Sequence, residues 1–269
     1  MRYWLILFFL TFSAQSLAEK ATPLSLGIFP HLPLYPLHKR YTSLASYLSK
    51  QLKHPVTLKT KSSCPEFRTA LTQEEYDIAL VQPFDYLIAH DQHHYKPLAR
   101  KDTPLRAVLM VKKDSLFHTL DDLKQQEIVS PPKLTAITQL FSRHLKQHHY
   151  TRDDFLLKHK ANNFDCLHAV LLNQAQACVT APHALHYRGT QEIHKNFRKI
   201  IQTDPIPHMV FVAHQRLPDI TRQRVKDIII NWGKSPEGKA MAQQTKLNRF
   251  VAATDEDYNI LRSPAYPPQ

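Results

Sequence analysis

Apolar and polar positions along this chain change period repeatedly, and the changes mark an alternation of short strands and amphipathic helices. Leu24-Ser25-Leu26-Gly27-Ile28-Phe29 alternates and stops at Pro30, which predicts a short strand. Tyr41, Leu44, Ala45, Leu48 and Leu52 then recur at helical spacing with Ser43, Ser46, Ser49 and Lys50 between them, predicting a helix with one buried stripe. Val56-Thr57-Leu58 predicts a second strand, Pro65 to Thr72 a second helix, and Asp77 to Val81 a third strand that is apolar almost throughout. A continuous apolar strand between helices points to a parallel sheet covered on both faces. Pro83 falls where a helix opens, since its missing N–H costs little there. Gln82, Asp85 and Tyr86 therefore lie near the carboxyl edge of the sheet, where open α/β sheets bind ligands.

Further on, Leu98 to Arg100 and Ala107 to Val111 read as strands joined through Thr103-Pro104, a first candidate hinge. Leu116 to Glu127 reads as a short helix and Ile128-Val129 as a strand running into Pro131-Pro132. Ile137, Leu140, Phe141 and Leu145 mark the apolar face of another helix, and Phe155-Leu156-Leu157 another strand. Leu167, Val170 and Leu171 followed by Ala177 to Thr180 repeat the helix-strand theme. Asp204-Pro205-Ile206-Pro207 is a second candidate hinge, followed by a strand at Met209 to Ala213. Ile220, Val225, Ile228, Ile229 and Trp232 share a helical face, and Asp257, Tyr258 and Leu261 belong to a last helix.

The start of the chain adds a compartment. Met1-Arg2, the apolar run Tyr3 to Phe12 and the small residues of Ser16-Leu17-Ala18 have the layout of a secretory leader, cleaved after Ala18, with a retained anchor as the alternative. The run is shorter than the roughly 20 residues needed to span a bilayer, and no Cys follows it for lipid attachment. The length suits two lobes: 19–104 with 205–262 as the first, 105–204 as the second, and 263–269 as a loose, proline-rich tail. A formal net charge of +12 suits an anionic ligand, an acidic partner or an anionic membrane face. The cations are dispersed, and no nucleic-acid motif or basic stripe accompanies them. An exported chain keeps disulfides. Cys166 and Cys178 are twelve apart and bracket a helix and the strand after it, so they are the expected pair, with Cys64 left over. Four glycines against nineteen prolines supply neither G-x-G-x-x-G nor G-x-x-x-x-G-K-[ST], so nucleotide chemistry lacks its hallmark.

The order of these elements and several local strings resemble the periplasmic substrate-binding components of phosphate, phosphite and phosphonate ABC transporters. Leu26-Gly27-Ile28-Phe29-Pro30 resembles the opening strand of that family and Tyr41-Thr42-Ser43-Leu44-Ala45-Ser46-Tyr47-Leu48 its first helix. Asp77-Ile78-Ala79-Leu80-Val81-Gln82-Pro83, with Tyr86 beyond, resembles the strand and turn that carry a ligand-facing aromatic. Leu120-Asp121-Asp122-Leu123-Lys124 resembles the lobe-two helix, and Phe250, Ala253-Thr254-Asp255 and Tyr258 the C-terminal segment. The resemblance implies an α/β, two-lobed periplasmic-binding fold of type II, each lobe a sheet flanked by helices, with two hinge crossovers closing over a ligand. It implies a periplasmic solute-binding protein for a small anion, with an inner-membrane ABC permease as partner, no cofactor, and a monomeric chain.

Tyr41, Gln82, Tyr86 and Thr135 are the cleft candidates, the competing reading being that Tyr41 and Tyr86 simply pack in the core. The turn expected to hold the anion reads Ser130-Pro131-Pro132-Lys133-Leu134-Thr135-Ala136-Ile137-Thr138, in which Thr135 and Thr138 supply hydroxyls and Lys133 a charge, without a glycine. The later turn reads Asn162-Asn163-Phe164-Asp165-Cys166. Asn163 is carried as a ligand candidate, although capping alone explains Asn at a helix start. These departures leave the particular ligand open. Among the seventeen histidines, His144 and His148 stand at i and i+4, a spacing able to bind Zn²⁺ or Cu²⁺, but no third ligand is spaced to join them. No base, nucleophile and orienter recur together, so the chain does not read as an enzyme. The rival functions are metal or metal-complex binding, and ligand sensing on the same fold.

Overall fold

The computed structural model describes residues 21–182, 184 and 193–263; the leader expected at 1–18 and all but Ser263 of the tail expected at 263–269 lie outside the described residues. The chain alternates as the hydrophobic pattern dictates: β1 (Leu24–Ile28), α1 (Leu34–Leu52), β2 (Val56–Thr60), α2 (Cys64–Thr72), β3 (Ile78–Val81), α3 (Pro83–Gln92) and β4 (Tyr95–Lys101). It continues with β5 (Val108–Lys112), β6 (Glu127–Ser130), α4 (Ala136–Gln147), β7 (Leu156–His159), α5 (Asn163–Leu171), β8 (Ala177–Thr180) and β9 (Phe197–Gln202). β10 (Val210–His214), α6 (Asp219–Asn231), α7 (Pro236–Thr245) and β11 (Phe250–Ala252) complete it.

Two sheets result, in the orders β11-β4-β10-β3-β1-β2 and β7-β6-β8-β5-β9. β1 pairs parallel with β2 and β3, and β6 parallel with β7 and β8, whereas β10 and β5 enter antiparallel. All four residues of β3 are buried, as a central strand with helices over both faces requires. On α1 the stripe Leu37, Tyr41, Leu44, Ala45, Leu48 and Leu52 is the buried face. Gly27 in β1 admits the ring of Tyr76, since a Cβ there would stand 2.7 Å from it.

The chain leaves the first sheet after β4 and returns to it through β10. At these two passages Leu105 and Ile206 form an antiparallel bridge, with N···O distances of 2.8 and 2.9 Å. Beside it the Thr203 hydroxyl accepts from the Ala107 N–H at 3.0 Å. The passages are thus tied to each other and not merely adjacent.

Two local expectations change. The helix read over Leu116 to Glu127 is a single 3₁₀ turn, Asp121–Leu123. The Asp122 carboxylate accepts from the His118 and Thr119 N–H groups, and Gln125 adopts φ 59°, so a capped turn followed by a left-handed residue replaces the helix. The last helix is likewise 3₁₀, spanning Glu256–Arg262. The disulfide joins Cys166 of α5 to Cys178 of β8, both buried, and Cys64 is free.

Candidate functional site

A cavity of about 580 Å³ opens between the two sheets' layers. Its walls are the starts of helices, because every βα connection on this side of each sheet turns at the strand's carboxyl end. Pro33 before α1, Ser63 and Cys64 at α2, Gln82 and Pro83 at α3, Thr135 and Ala136 at α4, and Asn162 and Asn163 at α5 all line it. Helix N-termini carry unpaired N–H groups and partial positive charge.

These ends are not equivalent. α2, α3 and α5 carry Glu66, Asp85 and Asp165 in their first turns. Ser63 caps α2 by accepting from the Glu66 N–H, and Asn162 caps α5 by accepting from the Phe164 and Asp165 N–H groups at 2.8 and 3.0 Å. α1 begins with the exposed Leu34 and Tyr35, so its end is solvated. α4 differs: its first turn is buried, holds no acid, and receives no hydrogen bond from the side chain of its own N-cap, Thr135. Its Ala136 N–H instead donates to Oε1 of Gln82, which belongs to the other sheet's layer, at 2.8 Å. Gln82 thus reaches across the cleft to the most electropositive helix end of the site. The Gln82 amide nitrogen turns back toward Asp85, at 3.4 Å. Asp85 is buried against Arg68, with contacts of 2.9 and 2.7 Å; burial pushes its carboxyl pKa up, against the pull of Arg68.

Cations complete the lining. Arg40, Lys101, Lys133 and Lys246 face the cavity, and among its described lining residues there is no Asp or Glu. Lys101 is half-buried, and its ammonium has no hydrogen-bond acceptor or counter-ion among the described residues. Burial holds its pKa below the usual lysine value, so an anion beside it would restore the charged form's advantage. Sequence reasoning missed Lys101. Its signal was a lysine ending an otherwise sheet-forming run next to a hinge, a pattern no motif encodes.

Of the residues singled out from sequence, Tyr41, Gln82, Thr135 and Asn163 line the cavity, and Thr138 and Tyr86 do not. The Tyr41 hydroxyl lies 3.1 Å from His31 Nε2, while His31 Nδ1 lies 3.1 Å from the Phe29 carbonyl. A carbonyl only accepts, so Nδ1 carries the proton and Nε2 accepts from Tyr41. The Thr135 and Thr138 hydroxyls donate to the carbonyls of Pro132 and Pro131, at 2.8 and 2.9 Å, and hold the turn that presents α4. Asn163 lines the cavity and its Oδ1 accepts from Thr180 at 2.9 Å, so any ligand contact by this side chain falls to its amide N–H groups. Tyr86 is fully buried, packs its ring at a tilt of 45° against Tyr258 and donates to Asp255 at 2.7 Å. Burial pushes the Cys64 thiol pKa up to about 11, which keeps it protonated. The His144 and His148 rings lie 4.3 Å apart, and the His, Cys, Asp and Glu trio found among the described residues is a different one, His90, Asp91 and Asp255. Arg262 spans both of its carboxylates, at 2.6 and 2.8 Å, and already pairs with each of them.

A cleft of helix N-termini between two such sheets, crossed twice by the chain, defines a two-lobed solute-binding fold. The family of ABC transporter, phosphonate, periplasmic substrate-binding proteins matches residues 26–258, and the chain belongs to that family. Its role is accordingly solute binding. Among solved structures it is similar to a binding component of an ABC phosphonate transporter from Pseudomonas aeruginosa, with 16% identity, 89% of this chain and 84% of that one covered, and a TM-score of 0.77. It is similar to PhnD1 from Prochlorococcus marinus in complex with methylphosphonate, with 17% identity, 89% and 95% covered, and a TM-score of 0.78. The periplasmic aliphatic sulphonate binding protein SsuA from Escherichia coli follows at 12% identity, 90% of each chain covered, and a TM-score of 0.62. At these identities the likeness is one of fold. Among curated proteins none matches the sequence. None of the described helices is long and apolar enough to cross a membrane.

Proposed function

We propose that this chain captures a tetrahedral oxyanion of the phosphonate, phosphate or sulfonate type in the periplasm and delivers it, as a monomer, to an inner-membrane ABC permease. The observation that carries this reading is the buried, acid-free N-terminus of α4, whose Ala136 N–H is met by Gln82, in the same cavity as Lys101, which has no counter-ion among the described residues. An oxyanion accepts from the α4 amides and from Asn163, and pairs with Lys101, without breaking a bond. Residues 19–104 with 205–262, and 105–204, then move as the two lobes, with the Leu105–Ile206 bridge as the hinge. Tyr86 and Thr138 act as supports of α3 and of the α4 turn.

Native mass spectrometry of chain purified from periplasm, followed by thermal shift with methylphosphonate, phosphate, phosphite, alkylsulfonates and Zn²⁺, tests this. A bound oxyanion whose affinity falls at least about tenfold in Lys101→Gln is expected, since an unscreened charge-assisted hydrogen bond is worth about 1.5–3 kcal/mol. Stabilisation by Zn²⁺ alone, reversed by EDTA, would sink the anion reading in favour of metal binding.

A further inference from the structure

The cavity lining carries more information than the anion's head. Its positive groups are matched by no carboxylate, and the three acids nearest by sequence are engaged elsewhere. Asp85 is held by Arg68, Asp165 accepts from Asn162 at 2.8 Å, and Glu66 accepts from Ser62 at 2.6 Å. Much of the remaining lining is apolar, Phe29, Leu32, Leu105, Leu134, Met209 and Leu247, with His31, Ser62, His208 and Thr245 as neutral polar groups among them. At the starts of α2 and α3 the chain places Pro65 and Pro83, each substituting an apolar ring for an N–H donor. Uncapped backbone donors are therefore concentrated at α4, the α5 amides being taken by Asn162, and the opposing helix starts add proline rings beside Ser63, Cys64 and Gln82. A volume of about 580 Å³ is in the range of pockets that enclose drug-sized ligands, well beyond a bare oxyanion.

We infer that the ligand is an oxyanion carried on an uncharged, largely apolar body, an alkyl or aryl phosphonate, phosphate monoester or sulfonate, and that the site rejects oxyanions bearing an ammonium group. This deepens the reading given above and rests on it. An apolar body is removed from water against the leucines and proline rings, which is favourable in proportion to the area covered. An ammonium in the same place loses its hydration, finds no carboxylate, and stands among lysine and arginine charges.

Isothermal titration of the whole secreted chain with three probes decides it: methylphosphonate for the head alone, benzylphosphonate for head and apolar body, and 2-aminoethylphosphonate for head and ammonium. Benzylphosphonate is expected to bind at least about tenfold more tightly than methylphosphonate, with a more negative heat-capacity change. 2-Aminoethylphosphonate is expected to bind no more tightly than methylphosphonate. Equal affinity for benzylphosphonate and methylphosphonate, or tightest binding of 2-aminoethylphosphonate, overturns the inference while leaving anion capture intact. If none of the three binds, this inference is overturned, and phosphate and methanesulfonate titrated alongside decide the capture reading: binding of either keeps it, and binding of neither overturns it as well.

Discussion

Replacing Gln82 by methionine removes one acceptor from the cleft, together with the long 3.4 Å bond that its amide nitrogen donates to Asp85. The side chain keeps its length and its place at the start of α3, but the Ala136 N–H loses the 2.8 Å bond that crosses between the lobes. Ala136 is buried and the side chain of the N-cap Thr135 does not cap α4, so the helix supplies no replacement acceptor of its own. A buried donor left unsatisfied costs about 1–3 kcal/mol. At about 1.4 kcal/mol per tenfold, that shifts the balance between joined and parted lobes by roughly 5- to 150-fold toward the parted state. The Gln82→Met chain without added ligand should therefore show a larger radius of gyration by small-angle scattering. The amides at the start of α4 should exchange with deuterium faster by a comparable factor, while those of β3, which the substitution does not reach, keep their protection. Methylphosphonate should restore both, since its oxygens replace the lost acceptor. Unchanged exchange at Ala136 to Thr138 in Gln82→Met would refute the argument, because it would mean that Gln82 does not hold α4.

Other substitutions test the supports of the site. Tyr86→Phe removes a hydrogen bond donated to the Asp255 carboxylate and should cost about 1.5 kcal/mol in urea unfolding, as a bond to a charged acceptor does, while methylphosphonate affinity stays unchanged. Loss of affinity without loss of stability would instead put Tyr86 in contact with ligand. The double change Cys166→Ala/Cys178→Ala frees a short loop in the unfolded chain and should lower stability by about 2–4 kcal/mol, read by urea titration against the oxidised, disulfide-bonded parent. Burial, and then the neighbouring His148, hold the His144 pKa below its ordinary value, against an opposing pull from Asp204. The unfolded chain therefore takes up a proton that the folded chain resists, and stability falls as pH drops below about 6.5. His144→Gln should flatten that fall in urea titrations at pH 7.5 and 5.0; an identical slope in both proteins would remove His144 as its cause.

The alternation of strands and helices was readable because each element carries its own period, as the stripe on α1 and the apolar run of β3 show. The Cys166–Cys178 pair was readable from its spacing across α5 and β8. β9 was not, since Phe197 to Gln202 mixes apolar and basic residues along a sheet edge that, among the described residues, pairs with β5 alone, where burial does not enforce alternation. β11 escaped for a simpler reason: three residues are too few to show a period. At the site, helix starts could be located from Pro83, Thr135 and Asn162, but nothing local tells that Gln82 meets Ala136 across fifty-four positions. Nor does Lys101 announce that no acid faces it.

That last point explains why a dispersed net charge of +12 has a local consequence. On the surface the surplus is screened over roughly 8–10 Å of salt solution. Inside the cleft the neighbouring carboxylates are each tied to a partner, Asp85 to Arg68 and Asp165 to Asn162. The helix starts and Lys101 are left as an uncompensated positive field in a poorly solvated space. Gln82 answers it with a neutral amide oxygen, which carries enough negative charge to accept one N–H but too little to compete with a charged ligand for the whole site. Had a carboxylate stood at position 82, the lobes would be held by a charge-assisted bond and an anion would have to expel it. With glutamine the cleft can be held together by one modest hydrogen bond, and an oxyanion needs only to exceed that bond to take its place.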